Sequence, residues 1–132
     1  MAFMGSYPTP RSLSQLASLA AAGHPVSYLL GDFLDAFYRQ PDPSALAETP
    51  QTLAGVLEEG DIDDAFLGAV AESLAGKHGW RVPAWAVEDQ RYLSRPFFAI
   101  TAAAIRATLL LESPPAFRSR NLFVTANALN RA

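Results

Sequence analysis

The side chains best suited to chemistry in this chain gather in its last third. Residues 112–132 read ESPPAFRSRNLFVTANALNRA, placing Arg118 and Arg120 between Phe117 and Phe123 and following them with Asn121, Asn127 and Asn130. Two residues apart on a helix, Arg118 and Arg120 diverge by about 200° and cannot serve one face. One is therefore expected to reach inward, to Glu112 or to an acid of the N-terminal half, leaving the other for a partner. Asn121 fits a helix C-cap, and Asn127 and Asn130 fall on adjacent turns of a last short helix capped by Thr125. A second cluster lies upstream, where Trp80, Trp85, Tyr92, Phe97 and Phe98 interleave with Arg81, Arg91 and Arg95. Such a mixture can stack nucleic-acid bases. In a segment rich in proline it more commonly fills a core, with arginines lying over the rings.

Other catalytic inventory is thin. Cysteine is absent, which excludes disulfides, thiolate metal sites and a cysteine nucleophile. The two histidines, His24 and His78, sit at predicted helix ends, with no second ligand one turn away. No nucleophile elbow, phosphate loop or dinucleotide fingerprint occurs. The acidic run EEGDIDD (58–64) lacks the alternating order of a calcium loop, so Asp61, Asp63 and Asp64 are assigned to the positive end of a helix. No metal and no cofactor is expected.

These residues must be positioned by helices. Apolar residues recur at helical spacing nearly throughout. Thr9-Pro10 opens a first helix, whose face is Leu13, Leu16, Ala17 and Ala20 and whose stop is Gly23. Pro25 opens a second, striped by Val26, Leu29, Leu30, Phe33 and Phe37. QPDPSALAETPQ can hold one helical turn, and residues 51–59 a short helix. A third long helix runs from an Asp61 cap to about Lys77 along Ile62, Phe66, Ala69, Val70 and Leu74. The segment 98–111 is apolar nearly all round, which marks it as the central, most buried helix. LFVT (122–125) is the best short strand candidate. The expected fold is all-α, a single-domain irregular helical bundle around that buried helix at about 98–111. The domain spans 1–132, with residues 1–8 as a flexible arm.

Composition agrees with a globular chain: 132 residues, half of them apolar and 17% charged. No signal peptide is read at the N-terminus and no run spans a bilayer, so a cytoplasmic protein without membrane contact is expected. Residues 1–78 carry three bases against ten acids, −7, and residues 79–132 carry seven arginines against three acids, +4. Segments of opposite sign can pair with each other or leave a basic binding face. Residues 12–34 resemble a helix-turn-helix in pattern, but the would-be recognition helix carries Asp32 and Asp35, which DNA would repel. Nucleic acid is not an expected partner.

The segments FLDAFYR (33–39), AVAESLA (69–75), VPAWAVEDQRYLSRPFF (82–98) and the tail from Glu112 resemble a family of small bacterial helical proteins. They are similar to a module that follows the helix-turn-helix domain in many actinobacterial regulators. Pro83, Trp85, Arg91, Leu93, Pro96, Phe97, Phe98, Pro114, Phe117, Arg120 and Phe123 carry the likeness. No separate DNA-binding domain is expected in front of the module in this chain. The resemblance implies an antitoxin-like, non-catalytic binding module, whose protein partner would be a toxin resembling a nucleotidyltransferase. The residues expected to bind that partner are Arg91, Arg95, Arg118, Arg120, Trp85, Asn121 and Asn127. A homodimer is the alternative partner, and an anion-binding protein or small enzyme with an arginine-lined cleft is the alternative function.

Overall fold

The computed structural model describes residues 8–99 and 103–130. The expected N-terminal arm lies outside them except for its last residue. Among the described residues there are six α-helices and two strands of two residues each, so the fold is all-α. No described helix is long and apolar enough to cross a membrane. The chain falls into two compact units that meet in sequence at Gln51 and Thr52.

The first unit holds α1 (Leu13–Ala21), α2 (Val26–Arg39) and α3 (Ser44–Ala47). Thr9-Pro10 does not open α1. Ser12 is its N-cap, and the Ser12 hydroxyl accepts from the Gln15 N–H at 3.0 Å, satisfying a donor the helix itself leaves open. Gly23, at φ 110°, ends the helix in a conformation that side chains resist. Leu13, Leu16, Ala17 and Ala20 of α1 are buried, as are Leu29, Phe33, Leu34 and Phe37 of α2. The two helices thus form a plain hairpin on their apolar stripes.

The second unit is built on α4 (Gly60–Lys77). Residues 51–59 form turns rather than the expected helix, with the Val56 and Leu57 N–H groups both donating to the Leu53 carbonyl at 2.9 Å. The chain then folds back so closely that a Cβ on Gly60 would run into the Leu53 carbonyl. Ten residues of α4 are buried, from Gly60 to Ala75. Two short 3₁₀ helices, Ala84–Val87 and Asp89–Arg91, pack against it, as does α6 (Pro115–Arg118).

The buried centre is therefore α4, not the segment 98–111. That segment yields α5 (Ala103–Glu112), of which Leu109 is buried while Ile105, Leu110 and Leu111 are exposed. The reason is geometric: α4, lined with Ala and Gly, lets several chain segments approach on more than one side. The strand candidate is present as β2 (Leu122–Phe123), paired in parallel with β1 (Phe97–Phe98). Phe98 and Phe123, partners in register, stack at 4.9 Å. Buried Ser113 accepts from the Val124 N–H at 2.9 Å and so joins the end of α5 to the strand. Residues 126–129 form turns, not the expected last helix, because Thr125 Oγ1 donates to Asn127 Oδ1 at 2.8 Å instead of capping a helical turn.

Candidate functional site

Two of the predicted arginines meet on one face of α4. That face carries Asp64, Gly68 and Glu72, each one helical turn from the next. Arg91 comes from the second 3₁₀ helix, and its Nη1 lies 3.5 Å from Asp64 Oδ1. Arg120 comes from the turn after α6. Its Nη1 donates to Glu72 Oε1 at 2.8 Å and to the Ala116 carbonyl at 2.7 Å, and its Nη2 donates to the Ala86 carbonyl at 2.6 Å. Gly68 lies between the two pairs. A Cβ there would stand 3.0 Å from Arg120 Nε, from the Arg91 Cβ and from the Ala86 carbonyl oxygen. The missing side chain is what lets both arginines lie against the helix.

Arg91 and Arg120 are both 0% exposed. Each guanidinium also covers an aromatic ring: Arg91 lies 4.9 Å from the centre of Trp85, and Arg120 lies 4.6 Å from that of Tyr92. Trp85 is itself buried. Asp64 is buried too, and accepts from the Leu53 N–H at 2.6 Å and the Ala54 N–H at 3.1 Å. It serves the incoming chain and Arg91, not the helix end to which the spacing assigned it. Burial pushes the Arg91 pKa down from its usual value, and the Asp64 and then the Glu88 charges oppose that shift. Asp63, one residue along, is half-buried beside Asp64, Glu59 and Asp61, and its pKa is raised to about 6, chiefly by desolvation.

The arrangement is a charge-paired clamp in which both arginines and Asp64 are closed to solvent while Glu72 is partly exposed. Arg120 is committed to one carboxylate and two main-chain carbonyls, so its fork is not open to an anion. Of the two tail arginines, Arg120 turns inward, to Glu72, and Arg118 lies exposed. Arg95 is also exposed. The C-cap of α6 is Ser119, not Asn121; Asn121 lies two residues further on at φ 63°, and its Nδ2 donates to the Leu93 carbonyl at 2.9 Å. Asn127 is exposed in its turn. The fold thus brings Arg91, Arg120 and Trp85 together inside the unit and leaves Arg95, Arg118 and Asn127 at its surface.

Three residues central to this arrangement were not singled out from the sequence for these roles: Gly68, Glu72 and the buried carboxylate of Asp64. Their signal was a face of α4 that places acids two turns apart in a row of small residues, Gly68, Ala71 and Ala75. Also unforeseen is the apolar surface of α5, where Leu111 is 81% and Leu110 46% exposed. Among the described residues, no group of three or more His, Asp or Glu side chains could hold a metal ion. No family model matches this chain, and no curated protein and no solved structure matches it.

Proposed function

We propose that the chain is a non-catalytic protein-binding module, antitoxin-like in character and acting in the cytoplasm, that docks a protein partner through the outward face of α5 and the exposed arginines near it in sequence. The supporting observation is the pair Leu110 and Leu111. Two adjacent leucines, one of them 81% exposed, keep apolar surface in water on a helix whose Leu109 is buried. Scattered apolar residues are ordinary, but contiguous apolar surface rimmed by charge is typical of docking sites. Arg106 is exposed on the same helix and lies 5.0 Å over the Phe98 ring, and Arg118 is exposed just beyond. Arginine beside apolar surface is a frequent source of binding energy. The positive balance of residues 79–132 favours a partner whose apolar face is rimmed by carboxylates. A nucleotidyltransferase-like toxin is the partner the sequence resemblance suggests.

The test is a tagged pull-down from the native cells, read by mass spectrometry, with wild type beside a Leu110→Ser/Leu111→Ser variant and an Arg118→Ala variant. A stoichiometric partner lost in the first and weakened in the second, with the melting temperature unchanged, is the expected result. Equal capture by all three overturns the surface, and turnover of any substrate by the purified chain overturns the non-catalytic reading. Sedimentation at rising concentration reads the homodimer alternative directly.

A further inference from the structure

The sequence sorts its charges into stretches of one sign. Residues 40–76 contain acids and no lysine or arginine, and residues 90–111 contain arginines and no acid. The clamp takes Asp64 and Glu72 from the acidic stretch and pairs them with Arg91 and Arg120. Glu58, Glu59 and Asp61 stay exposed, as do Arg95, Arg106 and Arg118. Each set lies beside exposed apolar surface. Val56, two residues before Glu58, is 53% exposed. Leu110, which is 46% exposed, follows Arg106 by one helical turn, and Leu111 is 81% exposed.

The acidic side is a preformed knob. Buried Leu53 anchors it, and the Asp64 carboxylate accepts from the Leu53 and Ala54 N–H groups. The Leu53 carbonyl accepts from Val56 and Leu57, Gly55 turns the chain at φ 82°, and the Gly60 N–H donates to the Leu57 carbonyl at 3.1 Å. Val56 is thus presented by a main chain that is already fixed, so docking through it needs little further ordering.

The knob and α5 both belong to the second unit, and both are exposed there, so neither covers the other within one chain. A second copy supplies the match, because its Val56 rimmed by carboxylates complements leucines rimmed by guanidiniums. Pairing α5 with a second α5 would set arginines against arginines and is disfavoured. We propose that the turn at residues 54–61 of one copy docks on the exposed face of α5 of a second copy. The contact joins unlike surfaces, so each chain offers one surface of each kind and association continues beyond a pair unless it closes on itself. The inference rests on the reading of α5 as a docking face and names an occupant for it. A foreign partner competes with the second copy for that face.

Sedimentation velocity of the full chain from about 10 µM to about 1 mM tests it, with a rise in mean mass expected across that range. Val56→Ser/Glu58→Lys breaks the knob and Leu111→Ser/Arg118→Glu breaks the face. Each should weaken association by at least about tenfold and leave the melting temperature unchanged, since all four side chains are exposed. An equimolar mixture of the two variants retains one intact knob and one intact face, so it should form dimers and nothing larger. Raising sodium chloride from about 0.05 to about 0.5 M should weaken the wild-type contact. A wild type that stays monomeric at about 1 mM overturns the proposal. Association that survives Val56→Ser/Glu58→Lys overturns it too, because the knob is then not the occupant, and so does a mixture that stays monomeric. The two readings of α5 fail separately. A foreign partner captured by the Val56→Ser/Glu58→Lys variant, in a chain that never self-associates, keeps the docking face and removes this occupant. Self-association that behaves as expected, with no foreign partner captured, does the reverse.

Discussion

Replacing Arg120 by alanine tests whether the guanidinium holds the second unit together. The substitution removes three donated hydrogen bonds. Two of the acceptors, the Ala86 and Ala116 carbonyls, belong to segments that pack on α4. A hydrogen bond to a charged group contributes about 1.5–3 kcal/mol. The three do not add fully, because the deleted cation also ceases to be buried. Removing one partner of a buried ion pair costs about 3–5 kcal/mol. Glu72 is 34% exposed and can be rehydrated, which favours the lower end, about 3 kcal/mol. Domain stabilities run from about 5 to 15 kcal/mol, so the loss is large. Urea unfolding followed by tryptophan fluorescence measures it, since Trp80 and Trp85 both lie in the second unit. The midpoint should fall by roughly 1–3 M urea. Arg120→Lys keeps the charge, but a single ammonium cannot span Glu72 and two carbonyls, so it should lose about 2 kcal/mol. A loss below about 1 kcal/mol for Arg120→Ala would refute the clamp and return Arg120 to the list of residues a partner could use.

Three further outcomes follow from the same region. Gly68→Ala pushes a methyl group against both arginines and the Ala86 carbonyl, and urea unfolding should show a loss of about 1–3 kcal/mol. Ser113→Ala leaves the buried Val124 N–H without its acceptor and should cost about 2 kcal/mol by the same assay. Asp63 releases its proton near 3.8 in its usual state and at about 6 when folded, so the native state holds more protons between those values. Stability contributed at this position is present at low pH and lost as pH rises through about 6. The excess of wild type over Asp63→Asn should fall by about 1–2 kcal/mol across that window, the full shift being discounted for partial exposure. A flat difference would show that Asp63 is solvated like a surface carboxylate.

Helix identity was legible because it rests on local rules. The stripe of α1 is the one the spacing predicts; in α2 Leu29, Phe33 and Phe37 are buried as predicted, but Leu34 joins them while Val26 and Leu30 are only half-buried; Gly23 stops the first helix, and α4 ends at Lys77 as expected. What failed depends on tertiary geometry. Segment 98–111 reads as the core because hydropathy measures what a residue prefers, not what finds room. α4 is rich in alanine and glycine, so its backbone admits close neighbours, and it takes the centre although its own side chains are small. Residues 51–59 have helical spacing, yet the Asp64 carboxylate draws the Leu53 and Ala54 N–H groups toward it, and a helix over those residues is forgone.

The arginines were read half correctly for a similar reason. Their divergence on a helix required one of Arg118 and Arg120 to turn inward, and spacing alone did not decide which. The deciding residue is far away in sequence: Gly68, whose missing side chain makes room for Arg120 beside Glu72 and for Arg91 beside Asp64. Charged groups are buried only when paired, and here each arginine finds its acid on the same helix face, two turns apart. The opposite charges of the two halves are in this respect an internal complement, with bases from residues 79–132 meeting acids from residues 1–78 across α4. That pairing takes Arg91 and Arg120 out of contention as partner contacts. It leaves Arg95, Arg106 and Arg118, with Leu110 and Leu111 of α5, exposed at the outer surface of the second unit, the surface on which the proposed docking rests.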